Sequence, residues 1–267
     1  MTLVFLATPF LFVSLMFRSF LYYPTSLSAA EVAALAENLG FEEVRLGVAS
    51  ETRLVGLVRT PADPQQPWAL FFGGNAMDLA SSLDVLRMID GGSGFGLAVF
   101  AYRGYDGSDG RPTEEALLHD AEAAVRWLEN ERDVSPADLV LVGQSLGSGI
   151  AAHVAAMLDR EGRAPRGLAL LSPYTSIARV FDEHVPILPV GRVVADRYDT
   201  MALIGDLTGP IVIVHGSHDE IIGIHHSEEL AGKLGARARL IVLEGCSHND
   251  LWLHSRTTDE VRRLLMQ

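Results

Sequence analysis

A serine between two glycines, in Gly143-Gln144-Ser145-Leu146-Gly147, stands directly after the apolar run Leu139–Val142 and directly before the helical pattern Leu146–Leu158. A strand, a sharp turn flanked by small residues and a helix together lift a serine Oγ above a sheet. The turn also puts the Leu146 N–H at a helix N-terminus, where it can face a developing oxyanion. A serine hydroxyl needs a base to act as a nucleophile at neutral pH. Of nine histidines, His248 is the best placed, in the loop Glu244-Gly245-Cys246-Ser247-His248-Asn249-Asp250 after the last apolar run. An imidazole base needs an acid to hold its tautomer. Asp219, which follows the run Ile211–Val214, is the candidate, with Glu220 and Asp250 as rivals. The chain order Ser145, Asp219, His248 differs from the His-Asp-Ser and Asp-His-Ser orders of two protease classes. These three side chains would transfer an acyl group through a serine ester. Taken without its partners, the same turn is a glycine-rich loop able to hold phosphate.

A tetrahedral oxyanion needs a second N–H donor. The loop Gly73-Gly74-Asn75-Ala76 after the run Trp68–Phe72 is where it should come from, with Asn75 as first choice and Ala76 as second. Tyr102 and Arg103, after another strand end, are placed to brace that loop. His215 and His218, with His225 and His226 close behind, have a metal-like spacing, yet no flanking carboxylate pattern completes a site. No metal or cofactor is expected, and His215 is read as packing behind the Asp219 loop. The lone Cys246 reads as a small buried filler.

These residues need a scaffold whose strand ends share one rim. After Pro67, apolar runs alternate with helical patterns: Trp68–Phe72, Leu97–Ala101, Leu139–Val142, Leu168–Leu171, Ile211–Val214 and Leu240–Leu243, with helices at Ser81–Ile89, Glu114–Glu131, Leu146–Leu158, Ser227–Leu234 and Thr258–Met266. Continuous apolar runs suit parallel strands covered on both faces. Glu43–Val48 and Thr52–Arg59 alternate and read as an antiparallel pair. Ser28 and Glu31 form a capping-box pattern opening a helix that Gly40 can close. The expectation is one α/β domain over residues 24–267, with a mostly parallel eight-stranded sheet flanked by helices. Residues 174–209 are too long for a simple loop and read as a small lid or insertion.

Residues 1–17 carry no charged side chain. Leu3 to Tyr23 is long enough to cross a bilayer only if Arg18 snorkels to the interface. Residues 1–23 are expected to be a hydrophobic membrane anchor, with a packed apolar helix as the alternative. Phe20, Tyr22 and Tyr23 would lie at the interface, and Arg18 mildly favours a cytoplasmic main domain. With 21 Lys and Arg against 34 Asp and Glu, the net charge of −13 argues against nucleic acid and against non-specific docking on anionic lipid. A single cysteine excludes any intrachain disulfide.

The chain resembles the alpha/beta-hydrolase superfamily, and within it the membrane-tethered branch of bud-emergence-type proteins, bacterial hydrolases and protein depalmitoylases. The landmarks are FLYYP at 20–24, FFGGNAMD at 71–78, FAYRGYDGSDGRPTE at 100–114, VGQSLGSGIA at 142–151, SPYTSI at 172–177, LPVGRVVADRYDT at 188–200, IVHGSHDEII at 213–222 and GCSHNDL at 245–251. The resemblance implies Ser145 as nucleophile, Asp219 as acid, His248 as base, and Asn75 with Leu146 as oxyanion hole. Gly73, Asp106 and Ser227 depart from the branch's usual residues in loops around the pocket. The expected function is cleavage of a small carboxylic ester or thioester, with lipid-derived acyl chains as a candidate substrate class. A peptidase, an acyltransferase or a non-catalytic binding protein on the same scaffold stay open.

Overall fold

The chain's computed structural model describes residues 17–49, 51–185, 191 and 194–267. Strands β1 (Glu42–Ala49), β2 (Thr52–Arg59), β3 (Trp68–Phe72), β4 (Gly96–Phe100), β5 (Leu139–Gln144), β6 (Gly167–Leu171), β7 (Ile211–Gly216) and β8 (Ala238–Leu243) form one sheet. Its order is β1-β2-β4-β3-β5-β6-β7-β8. The β1–β2 and β2–β4 pairs are antiparallel and every pairing from β4 to β8 is parallel. This is the alpha/beta-hydrolase fold expected from the sequence.

Every residue of β3 to β7 is buried, the physical reason those segments are apolar throughout. β8, at the edge, is buried only in part. The helices are α1 (Ala29–Leu39), α2 (Leu79–Asp90), α3 (Glu114–Arg132), α4 (Leu146–Arg160), α5 (Ile177–His184), α6 (Thr200–Leu203), α7 (His225–Leu234) and α8 (Ser255–Leu265). The capping box at Ser28 and Glu31 forms, and Gly40 closes α1 at φ 69°. The Thr113 side chain caps α3 by accepting the Ala116 N–H. α2 starts two residues earlier than the sequence pattern, because the Asp78 carboxylate caps it.

β3 pairs with β4 on one side and β5 on the other, so the chain reverses its direction of travel across the sheet there. Such a switch point opens a crevice at the carboxyl ends of the two strands. The Gly73–Ala76 loop leaves one of them and the Ser145 turn leaves the other.

Two expectations need correction. Arg18 does not reach toward an interface: its guanidinium pairs with Asp196, at 2.7 Å from Nε, because a nearly buried carboxylate needs a cation. Tyr22 is buried, with its hydroxyl 3.0 Å from that of Tyr198, whereas Phe20 and Tyr23 are exposed. Residues 17–22 therefore pack on the domain, and the span expected for Leu3 to Tyr23 cannot include them. The rest of the expected anchor, residues 1–16, lies outside the described residues. Among the described residues no helix is long and apolar enough to cross a membrane. The expected lid contains α5 and α6; residues 186–190 and 192–193 of it also lie outside the described residues.

Candidate active site

Ser145 sits between the end of β5 and the start of α4 at φ 51°, ψ −119°. A positive φ at a residue with a Cβ is strained by about 1–3 kcal/mol and persists only where its surroundings impose it. Here the surroundings are backbone. A Cβ on Gly143 would lie 2.3 Å from the Gly147 carbonyl oxygen, and one on Gly147 would lie 2.1 Å from that of Phe72. Both flanking glycines are thus required by close packing of the turn against β3 and α4. The Ser145 N–H donates to the Leu171 carbonyl at 2.9 Å, tying the turn to β6. Leu146 is the first residue of α4, where amides have no carbonyl of their own helix to meet.

The structure brings Ser145, His248 and Asp219 together. Ser145 Oγ is 3.1 Å from His248 Nε2, and His248 Nδ1 is 2.7 Å from Asp219 Oδ2. With a carboxylate at Nδ1, that nitrogen carries the proton and Nε2 is left to accept from the serine hydroxyl. The Asp219 side chain is wholly buried. Its Oδ1 accepts the Ile221 and Ile222 N–H groups at 3.0 and 2.8 Å, and its Oδ2 also accepts the Ser172 hydroxyl at 2.7 Å. Burial by itself would raise the Asp219 pKa. Hydrogen bonds from His215 and His248, with the Ile222 amide, overcome it and hold the carboxyl well below the usual carboxylate range.

Neither rival acid reaches the imidazole. Asp250 accepts the Ser247 hydroxyl in its own turn, at 2.5 Å, and Glu220 is exposed. Behind Asp219, the buried His215 donates from Nε2 to the Ile222 carbonyl at 2.8 Å and stands 3.2 Å from Asp219 Oδ2. Its Nδ1 is 2.6 Å from the Ser227 hydroxyl. Ser172 had no role in the sequence reading. The signal was available, since it directly follows β6 on the shared rim, where it adopts φ 43°.

Asn75 borders the cavity above Ser145. Its carbonyl accepts the Tyr105 hydroxyl at 2.8 Å and the Tyr23 N–H at 3.3 Å, and its Nδ2 donates to the Leu21 carbonyl at 3.1 Å. Tyr102 braces the same loop by donating to the Gly73 carbonyl at 2.8 Å. Arg103 does not: it pairs with Asp120 on α3 at 2.5 Å, the nearest buried carboxylate. Asp106, at φ 41°, accepts the Leu27 and Leu79 N–H groups at 3.0 and 2.8 Å and so pins the loops beside the site.

The cavity has a volume of about 440 Å³. Ser145, Leu146 and Asn75 border it together with Ile221 and Ile222. Its remaining lining comes from residues 17–21 and from α5 with Val185, and is apolar except for His184. That shape and polarity fit an aliphatic group beside a reactive centre.

Cys246, two residues from His248, is buried, and burial pushes its thiol pKa up, the opposite of an activated nucleophile. One histidine reading needs amending. Glu183, from α5, is the carboxylate that the local sequence lacks: it meets His225 and His226 with all three polar atoms within 4.8 Å. The arrangement works as a hydrogen-bonded clip. Each Glu183 oxygen takes one imidazole, Arg179 also donates to Oε1, and His226 Nδ1 accepts the Thr175 N–H, which leaves the proton on Nε2.

A sequence profile described as alpha/beta hydrolase fold matches residues 113–201. An uncharacterized protein of Mycobacterium tuberculosis is 35% identical over 203 residues, 75% of this chain and 70% of that one. The alpha/beta hydrolase domain-containing protein 17B of Homo sapiens is 29% identical over 198 residues, 74% of this chain and 66% of its own length. A solved esterase of Pyrococcus furiosus shares the fold at a TM-score of 0.70 and 14% identity, covering 92% of this chain and 97% of the esterase. With its strand order, its serine turn and these likenesses taken together, the chain belongs to the alpha/beta-hydrolase superfamily.

Proposed function

We propose that the protein is a serine hydrolase that cleaves a carboxylic ester or thioester through an acyl-enzyme. The observation that carries this reading is the unbroken hydrogen-bond chain Ser145–His248–Asp219 beside an apolar cavity. His248 takes the Ser145 proton as Oγ attacks the acyl carbonyl. The Leu146 N–H, with the Asn75 N–H as second donor, holds the tetrahedral oxyanion. The C–O or C–S bond of the substrate breaks and His248 protonates the departing alcohol or thiol. Water, deprotonated by the same imidazole, then hydrolyses the acyl-serine and returns Ser145. Asp219 stays ionised throughout and orients the ring.

The apolar character of residues 1–16 supports a second element of this reading, attachment of the chain to a membrane. Recovery of the full chain from alkaline-washed membranes tests it; quantitative release into the wash overturns it.

For the chemistry, the full chain should be labelled by a fluorophosphonate probe and should hydrolyse p-nitrophenyl esters. Ser145→Ala should lose the label and up to ~10⁶ of the turnover if the three residues act as a unit. An unlabelled, well-folded wild type, or an undiminished Ser145→Ala rate, overturns the mechanism. Amide cleavage or transfer to an added alcohol at higher efficiency than ester hydrolysis would redirect it to a peptidase or an acyltransferase.

A further inference from the structure

The cavity beside Ser145 has two apolar walls, and they come from segments far apart in the chain. Val180, Phe181 and Val185 form one, on and after α5. Phe17, Phe20 and Leu21 form the other, from the segment first read as part of a tether. Phe17 and Phe181 meet edge to face, with ring centroids 5.1 Å apart and planes at 74°. The amino-terminal wall is held at three further places. Arg18 grips Asp196 with two nitrogens, at 2.7 and 3.2 Å. Asp196 is itself fixed, since its Oδ1 also accepts the Glu114 N–H that opens α3, at 3.1 Å. Tyr22 meets Tyr198 hydroxyl to hydroxyl inside the protein. Finally, the Leu21 carbonyl and the Tyr23 N–H both bond to Asn75, the residue of the oxyanion loop nearest the segment.

A tether needs none of these contacts. A bidentate arginine on a nearly buried carboxylate fixes orientation as well as position. Phe20 remains 57% exposed although it is aromatic, as expected of a wall whose partner is a ligand.

We infer that residues 17–22 are part of the substrate site: they wall an apolar groove that takes the aliphatic chain of the acyl group, and the Arg18–Asp196 pair is the clamp that positions that wall. This rests on the ester-hydrolase reading. Phe17 is then a specificity residue, and Arg18, which does not border the cavity, is a positioning residue.

The test uses the full chain and p-nitrophenyl acetate, butyrate and octanoate. Burial of each added methylene is worth about fourfold in binding, so wild-type kcat/KM should climb along the series. Phe17→Ala and Arg18→Gln should each flatten the climb, lowering the octanoate-to-acetate ratio by about fivefold or more, with the change in KM rather than kcat. Arg18→Lys, which keeps the charge but not the fork, should recover part of the ratio. A parallel fall on all three esters, or an unchanged ratio, overturns the inference and returns the segment to a tether or a fold support.

A binding measurement separates this from failure of the chemistry. Ser145→Ala protein should bind dansyl-undecanoate, and adding Phe17→Ala should weaken it by about fivefold or more. Binding that responds to Phe17, in a wild type that hydrolyses no ester, sinks the hydrolase reading and keeps the groove. Hydrolysis with chain-length response and binding both blind to Phe17 and Arg18 sinks the groove alone.

Discussion

His215 Nε2 stands 3.2 Å from the same Asp219 oxygen that receives His248 Nδ1 at 2.7 Å, so one buried carboxylate oxygen serves two imidazoles. That oxygen must stay an acceptor. In Asp219→Asn the amide can present an NH₂ group there, which would drive His248 into the tautomer with its proton on Nε2, facing Ser145. The expected result is a fall in kcat of about 10⁴-fold with little change in KM, measured by steady-state ester hydrolysis. A loss below about tenfold would remove Asp219 from the orienting role.

Acid should act on this protein through two separable routes. The Asp219 pKa is lower in the folded chain than in the unfolded one, where it is about 4. A group shifted in that direction contributes stability that is fully present above the unfolded value and is lost as pH falls below it toward the folded value. Melting temperatures should therefore drop on acidification below about pH 4, and Asp219→Asn should blunt that drop. The rate follows the other route. Because Asp219 remains a carboxylate, the acid limb of kcat/KM should carry the uptake of one proton only. A limb with a slope of two would implicate a second group.

The oxyanion loop is braced from behind by a hydroxyl, Tyr102 on the Gly73 carbonyl at 2.8 Å. Tyr102→Phe removes the donor and leaves a buried carbonyl unpaired, worth about 1–3 kcal/mol. The loop should loosen, so kcat should fall several-fold while KM and fluorophosphonate labelling change less. Equal rates for wild type and Tyr102→Phe would show that the loop is held without it.

A Cβ on Gly147 would lie 2.1 Å from the Phe72 oxygen, a distance no side chain tolerates. Gly147→Ala must displace β3 or α4, and the displacement would move Ser145 and the Gly73 loop apart. Thermal unfolding should show a destabilisation of about 1–3 kcal/mol or more, with activity lost beyond what the melting temperature explains. An alanine variant as stable and as active as wild type would mean that the turn relaxes freely.

What the sequence made legible follows from where the information is local. Ser145 could be found because a run of apolar residues, two glycines and a helical pattern lie within a few positions of it. Asp219 and His248 could be found because each lies in the loop that follows an apolar run, and parallel strands share one rim. Ser28 announced its cap through Glu31, three positions on. Contacts made across the chain had no such marker. The partner of Arg18 is Asp196 and the partner of His225 is Glu183, and neither charge pattern is visible without the fold. Arg18 looked like the end of a membrane span because its neighbours are apolar. Of those neighbours, Phe17, Phe20 and Leu21 line the cavity and Tyr22 is buried in the core. Ser172, whose hydroxyl supports Asp219, lay in a recognised segment, but only the register of β6 beside β7 puts it within 2.7 Å.

The Arg18–Asp196 pair also bears on how the molecule is made. Its two members are 178 residues apart, and Tyr22 and Tyr198 are 176 apart. A ribosome delivers the arginine early and the aspartate late, so for most of translation the turn that carries Arg18 and Tyr22 has nowhere to go. Docking of that turn belongs among the last events of maturation, after the sheet has accepted β6, and a nascent chain arrested before residue 196 would carry a greasy, unsatisfied leader that invites chaperones.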